Sequence, residues 1–198
     1  MKKKSLFKNK TQMITYNIIF IICIALFIII GRTDFQKNMD TEAKKFHALY
    51  TMVDENNPFV FSDATDVLNI IDGRSGIVLM GFPTNKWMNY YASILNDVSK
   101  EVNINKIYYY DFQKDREESN GTYETIVNRL KKYVPVNDNG IQDLQAPTII
   151  IVKNGKLLKY FDDTSIIKGD ITPEEYYTDN QKLVTYENFK IALLEYVK

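Results

Sequence analysis

Cysteine and histidine are almost absent from this chain of 198 residues, which contains one of each, Cys23 and His47. Because a dithiol redox centre needs two cysteines, the composition excludes thiol–disulfide exchange by a cysteine pair within the chain. Metal sites need several His, Cys or carboxylate ligands close together. The sequence offers only the acids of 161–175, which are typical of a solvated loop or, alternatively, of a calcium site. We therefore predict no metal and no cofactor.

Two further features that would support catalysis are also lacking. No glycine-rich loop that could hold a phosphate is present, and Ser and Thr residues have no nearby histidine to activate them as nucleophiles. The formal net charge is zero, but residues 1–32 contain six basic residues and no acid, which leaves 19 basic and 25 acidic residues in the remainder. An acidic body binds phosphate backbones poorly, so we predict no nucleic-acid partner.

The longest apolar segment lies near the N-terminus. Residues 13–30, "MITYNIIFIICIALFIII", carry no charge and follow five lysines. As a helix, the segment would be about 27 Å long, close to the hydrocarbon thickness of a bilayer. It is longer than the apolar core of a signal peptide and lacks a small-residue cleavage site. We predict a basic cytoplasmic tail at 1–12, a single-pass transmembrane signal anchor of the cell membrane at 13–31, and an extracytoplasmic C-terminal domain.

Residues 32–57 have the periodicity of an amphipathic helix, which we interpret as a stalk that ends at "ENNP". Apolar side chains recur at spacings of three and four residues, at Phe35, Met39, Ala43, Phe46, Tyr50 and Val53. This face either packs back on the following domain or binds a partner, including a second copy by self-association. His47 lies beside the face and is interpreted as a surface or half-buried residue.

Beyond the stalk, predicted strands and helices alternate. The apolar run "GIVLMGF" (76–82) is typical of a strand covered on both faces, and "KNGK" is typical of a two-residue hairpin turn. "TPEE" (172–175) has the pattern of a helix capping box. Strands are predicted at 59–61, 76–82 and 106–112 with a hairpin at 147–161, and helices at 62–73, 88–102, 122–134 and 186–197. This order predicts an α/β fold with a mixed central sheet and helices on both faces.

Three segments, in this order along the chain, resemble the thioredoxin-like superfamily, and most of all its membrane-anchored bacteriocin-transport-accessory type. They are "GIVLMGFPTNKWM" (76–88), "KIYYYDFQKDR" (106–116) and "LQAPTIIIVKNGK" (144–156). The resemblance covers residues 59–198. It implies a thioredoxin-like domain at 58–198 and a cis peptide bond before Pro147.

The same resemblance locates a degenerate active site. Asn85 and Met88 occupy the two positions of the Cys-x-x-Cys motif, and Leu79 occupies that of a buried acid. An amide cannot form a thiolate, and a thioether has no proton to lose. We therefore predict that the chain is redox-inactive and not an enzyme.

The resemblance also implies a groove that aligns an extended peptide between two loops. Its candidate residues are Thr84, Lys86, Trp87, Ala146 and Pro147. Met88 lies beside them, but both Met88 and Trp87 have an alternative interpretation as parts of the core, because Met88 falls on the buried spacing of its predicted helix.

These observations predict a membrane-anchored, redox-inactive protein that binds an exported or envelope protein or peptide. The resemblance points to an accessory role in bacteriocin export or maturation, although the disulfide chemistry expected of that group is missing. Two alternatives are a structural subunit of an envelope complex and an enzyme that uses a non-thiol mechanism in the same groove. Clustered polar residues around Asn85 and Lys86 would favour the enzyme, and an open apolar groove would favour the binding protein.

Overall fold

The computed structural model describes residues 10–136, 140, 142–162 and 171–198. Residues 1–9 of the predicted basic tail and the side chains of 10–13, 30 and 32–36 lie outside the described part. The chain divides into two compact units, Met1–Asp40 and Thr41–Lys198, and helix α1 (Lys10–Leu49) contributes to both.

The described part of the first unit is α1 up to Asp40. Its side chains from residue 14 to residue 29 are all exposed. Among the residues that the structure describes, no helix combines the length and the hydropathy needed to span a membrane.

The second unit is built around a five-stranded mixed sheet with the strand order β1-β3-β2-β4-β5. Strands β1, β3 and β2 are parallel, whereas β4 is antiparallel to β2 and β5 is antiparallel to β4. The predicted α/β class with a mixed central sheet is confirmed. The elements are β1 (Phe59–Phe61), α2 (Ala64–Ile71), β2 (Gly76–Gly81), α3 (Met88–Glu101), β3 (Ile107–Asp111), α4 (Gln113–Glu117), α5 (Gly121–Leu130), β4 (Thr148–Lys153), β5 (Lys156–Phe161), α6 (Pro173–Tyr176) and α7 (Asp179–Val197).

The sheet separates two hydrophobic clusters because successive strand residues point to opposite faces. Ile77 and Leu79 of β2 face α3, α7 and the end of α1, whereas Val78 and Met80 face α2 and α5. All six residues of β2 are buried, as expected for a central strand covered on both sides. The prediction of helices on both faces is therefore confirmed.

The apolar face predicted for the stalk packs into this unit, although α1 ends at Leu49, before the predicted end at "ENNP". Ala43, Phe46, Tyr50 and Val53 are all buried, and the ring of Phe46 stacks on that of Phe59 with centroids 4.0 Å apart. The compact unit therefore begins at Thr41, within the segment 32–57 that the sequence analysis assigned to a stalk. The prediction that this face packs back on the domain is confirmed for these four residues, whose side chains are consequently not available for self-association.

Local signals in the sequence account for the turns and helix ends of this unit. Asn154 and Gly155 adopt φ angles of 51° and 70° in the β4–β5 hairpin, as a two-residue turn of this kind requires. Thr172 and Glu175 form the predicted capping box at the start of α6. Helix α4 was not predicted from the sequence; it has five residues and none is buried, so it has no apolar periodicity to detect.

Candidate functional site

The turn between β2 and α3 lies at the edge of the sheet where the parallel strands β2 and β3 both end. Gly81, the last residue of β2, is the register partner of Asp111, the last residue of β3. The chain then forms two consecutive turns, in which the Asn85 N–H donates to the Phe82 carbonyl over 3.1 Å and the Met88 N–H donates to the Asn85 carbonyl over 3.3 Å. Because α3 begins directly after these turns, the segment 82–87 is held between a central strand and a helix.

Asn85 joins this turn to the loop that precedes β4. Its side-chain Nδ2 donates a hydrogen bond to the Ala146 carbonyl over 2.9 Å, and its Oδ1 accepts one from the Trp87 N–H over 2.9 Å. The peptide bond between Ala146 and Pro147 is cis, as the resemblance implied. The position predicted to correspond to a nucleophile is therefore occupied by an amide that holds two loops together.

Met88 is fully buried at the first position of α3, so its interpretation as a core residue is correct and it does not line a groove. Its thioether lies against the backbone of Gly81. A Cβ atom added at Gly81 would be 2.2 Å from Met88 Sδ, far closer than non-bonded atoms approach. The absence of a side chain at position 81 is therefore what makes room for methionine at position 88.

Trp87 is half-buried because aromatic residues around α6 cover it. Its ring makes edge contacts with Tyr176 and Tyr177 at centroid distances of 5.4 and 5.9 Å. Tyr177 in turn stacks on Tyr90 of α3 at 5.3 Å. The sequence analysis did not identify these tyrosines as part of the site; the adjacent pair that follows the capping box was the only signal for them.

The five predicted groove residues differ in accessibility. Thr84 and Lys86 are exposed, Trp87 and Ala146 are half-buried, and Pro147 is buried. Of this set, Ala146 is in contact with Asn85 through the hydrogen bond described above. Thr84 and Lys86 are the exposed side chains of the predicted set.

The polar side chains near the turn form hydrogen bonds with groups of the site itself. Thr84 Oγ1 lies 3.4 Å from Gln113 Oε1, and the Gln113 amide donates to Glu117. Burial raises the pKa of Asp111, whose Oδ1 accepts the Gln113 N–H over 3.0 Å. None of these residues is a nucleophile placed beside a base.

The sequence analysis also considered His47 and the acidic loop at 161–175 as possible metal ligands. His47 is half-buried, with Nδ1 2.6 Å from the Val53 carbonyl. Within the described ranges, no group of three or more His, Cys, Asp or Glu side chains could hold a metal ion. Most of the predicted acidic loop at 161–175, residues 163–170, is outside the described residues.

A second concave surface lies between α3 and α7 and was not predicted from the sequence. This groove has a volume of about 490 Å³ and is lined by apolar and aromatic side chains with a few charged ones, including Met52, Tyr90, Ile94, Asp97, Leu183 and Tyr186. At its edge, a hydrogen bond to Glu101 raises the pKa of Tyr186 to about 12. The groove therefore combines accessible apolar surface with acidic groups.

No model of a known protein family matches the chain. Among curated proteins, none is significantly similar to it in sequence.

Proposed function

We propose that residues 58–198 form a thioredoxin-like domain whose degenerate active site binds a protein or peptide without thiol chemistry. The observation that carries this proposal is the hydrogen bond between Asn85 and Ala146, which joins the turn after β2 to the loop before β4. The strand order and the position of both loops at one sheet edge are compatible with such a domain. In this proposal the two loops lie together as in an active site, but the amide of Asn85 occupies the position of the first cysteine.

The accessible part of this site has the chemistry of a binding surface. Thr84 and Lys86 are exposed on either side of Asn85, and the half-buried ring of Trp87 adjoins them. A cation, a hydroxyl and part of an aromatic face suit an extended polypeptide, which offers carbonyl groups and apolar side chains. The described groups around Asn85 and Lys86 are polar and do not form an open apolar groove, which is the pattern expected of an enzyme. No nucleophile lies beside a base among them, however, and on that ground we favour a redox-inactive binding protein over an enzyme with a non-thiol mechanism.

The partner that we propose is an exported or envelope protein or peptide, and the resemblance extends this to an accessory role in bacteriocin export or maturation. We base the location on the sequence of residues 13–31, which we propose as a membrane anchor with the lysines on the cytoplasmic side. Protease added to intact spheroplasts should digest the C-terminal unit. Protection of that unit until lysis would contradict this orientation.

Site-specific photo-crosslinking in membranes tests the binding site. A photoreactive residue at position 86 should capture a defined exported polypeptide, whereas the same residue at the exposed position 131, directly after α5, should not. Equal capture of the same polypeptide from both positions would contradict a site at the β2–α3 turn.

Fluorescence gives a second measurement, because Trp87 is the only tryptophan of the chain and adjoins the proposed site. Titration of the full-length protein with the captured polypeptide, free of tryptophan, should change the Trp87 emission with a saturable dependence. A Lys86→Ala variant should weaken that binding. In a disulfide-reductase assay the same protein should show no turnover above background, and turnover that depends on the protein would overturn the redox-inactive part of the proposal.

The alternative of a structural subunit would bind its partner at a surface away from the β2–α3 turn. The outer side of α7 exposes large apolar residues, among them Leu183 and Ile191. Crosslinks to another envelope protein from α7, together with none from position 86, would favour this alternative.

A further inference from the structure

Helix α7 is apolar on two opposite sides. Its inner side buries Thr185, Phe189, Ala192 and Leu193 against the sheet. Its outer side exposes four large apolar residues: Leu183, Val184, Ile191 and Leu194 are 58%, 45%, 61% and 40% exposed. Exposed Glu187 and Asn188 lie between the two pairs, so this side has two apolar patches one polar turn apart. A helix that is apolar on both sides is usually covered on both, and exposed apolar patches mark candidate interaction surfaces.

The charges of α7 alternate in sign and are spaced symmetrically along the helix. They are Asp179, Lys182, Glu187, Lys190, Glu195 and, directly after the helix, Lys198. The successive spacings are three, five, three, five and three residues. Read from the C-terminus, the helix therefore has the same spacings, with a positive charge in place of each negative one and a negative charge in place of each positive one. If a second copy of α7 runs antiparallel to the first about a centre between residues 188 and 189, each charge lies level with an opposite charge. In a parallel pair in register, each charge would instead lie beside the identical charge of the second copy, and like charges repel.

We propose that the outer face of α7 is a self-association surface that pairs antiparallel with the same face of a second copy. In this arrangement Leu183 lies level with Leu194 of the second copy, and Glu187 lies level with Lys190. A twofold axis repeats both contacts, as in any isologous dimer. This proposal does not depend on the function of the β2–α3 turn.

Apolar contact supplies the affinity of this pair, and the charges select its direction. Exposed ion pairs contribute little stability, two of these charges already have partners within the chain, and Asp179 and Lys182 line the groove between α3 and α7. Lys190 Nζ lies 2.7 Å from Glu101, and Lys159 Nζ lies 3.8 Å from Glu195. One helix pair buries less than the roughly 1,600 Å² of a standard interface, so we expect a weak dimer that dissociates on dilution.

The oligomeric state of the full-length chain in a mild detergent, measured by light scattering over a dilution series, tests the surface. The wild type should be in monomer–dimer equilibrium, and Ile191→Glu or Leu194→Glu should raise the dissociation constant about tenfold or more. The matched control is Leu49→Glu, because Leu49 is 41% exposed on another helix end and Leu194 is 40% exposed. A monomeric wild type, or a dimer that both α7 variants leave unchanged, would overturn the proposal.

Cysteine crosslinking tests the direction in a Cys23→Ser background, which has no other thiol. Oxidation of a mixture of Leu183→Cys and Leu194→Cys chains should yield a disulfide-linked heterodimer. Either chain alone should crosslink poorly, because equal positions would be about 16 Å apart along an antiparallel pair, beyond the ~7 Å between Cα atoms that a disulfide spans. Preferential homodimers of each chain would instead indicate a parallel pair and overturn the antiparallel arrangement.

Exchanging the charges of Glu187 and Lys190 tests the pairing across the dimer separately from any effect of these residues on folding. Glu187→Lys should weaken the dimer because a lysine at position 187 would then face Lys190 of the second copy. Glu187→Lys combined with Lys190→Glu should restore the dimer, since opposite charges are level again; Glu101→Lys is added so that position 190 keeps an opposite charge beside it within the chain. If this triple variant is as weak as the single one, the charge pairing across the dimer is wrong.

Discussion

The hydroxyl groups of Tyr50 and Tyr109 lie 2.7 Å apart inside the hydrophobic core and share a hydrogen bond. Tyr50 follows the last residue of α1, and Tyr109 lies in the middle of β3. Both side chains are almost completely buried, and the Tyr109 hydroxyl also lies 3.4 Å from the Gly81 carbonyl. Two buried polar groups thus satisfy each other and connect the end of α1 to a central strand of the sheet.

Burial predicts a loss of stability at alkaline pH. It raises the pKa of four tyrosine hydroxyls, those of Tyr50, Tyr109, Tyr110 and Tyr123, above the ordinary value. Because the unfolded chain releases these protons near pH 10 and the folded chain retains them, the stabilisation is complete below about pH 10 and is lost as the pH rises further. Each tyrosine should contribute a slope of about 1.4 kcal/mol per pH unit to the free energy of unfolding.

Urea unfolding at a series of pH values measures this slope, and Tyr50→Phe should reduce it by about the contribution of one tyrosine. Absorbance of the tyrosinate ion provides the check. If all tyrosines ionise while the protein is still folded, the pKa values of these four are not raised.

The contact between Gly81 and Met88 predicts strong coupling between the two positions. Gly81→Ala should destabilise the fold by about 1–3 kcal/mol because the new methyl group overlaps the thioether, and Met88→Ala by about 2–5 kcal/mol because it leaves a cavity. The double variant should be more stable than the sum of the two losses indicates, since the alanine methyl at 81 enters space vacated at 88. The measurement is a double-mutant cycle by urea unfolding.

Gly73→Ala is the matched control, because no atom would lie within 4 Å of the added Cβ atom. It should change the free energy of unfolding little. Strict additivity of the Gly81 and Met88 substitutions would show that their close contact is not what constrains the two positions.

The two hydrogen bonds of Asn85 predict different effects of two substitutions. Asn85→Asp keeps an oxygen that can accept the Trp87 N–H but places a carboxylate against the Ala146 carbonyl, and Asn85→Ala removes both bonds. Loss of the donor at this half-buried position should cost about 1–3 kcal/mol of unfolding free energy in either variant. If Asn85→Asp is as stable as the wild type at neutral pH, the bond to Ala146 is not a significant link.

A pair of cysteines at positions 85 and 88 tests whether the turn has the proposed active-site geometry. In a Cys23→Ser background, Asn85→Cys with Met88→Cys should form an intramolecular disulfide on oxidation and acquire measurable reductase activity, because a helix N-terminus lowers the pKa of a thiol. Asn85→Cys alone is the control and should do neither. Failure of the double variant to form the internal disulfide, while it remains folded, would contradict the assignment of these positions.

The sequence predicted the elements whose pattern is local. The continuous apolar run of β2, the Asn-Gly turn at 154–155 and the capping box at 172–175 all specify their conformation over a few residues, and each is confirmed. Of the apolar face predicted at 35–53, burial is confirmed for Ala43, Phe46, Tyr50 and Val53, whereas Met39 is only partly buried. The partner of this face, the ring of Phe59, could not be deduced because periodicity shows which face is buried but not what covers it.

The site depended on contacts between distant parts of the chain. The amide of Asn85 bonds to a carbonyl 61 residues later, and Trp87 is covered by tyrosines that lie still further along the chain. Neither contact leaves a periodic signal in the sequence. The burial of Met88, by contrast, was one of two open interpretations, and its helical spacing favoured the correct one.

The burial of Phe46 and Tyr50 has a consequence for release of the C-terminal unit from the rest of the chain. A protease that cuts before Thr41 would shed an intact unit with its core complete. A cut in the loop between α1 and β1, at residues 50–58, would instead detach side chains that cover Phe59 and Tyr109. The apolar surface beneath them would then be exposed to water. Cuts that leave the core complete and cuts that open it are therefore separated by fewer than twenty residues of chain.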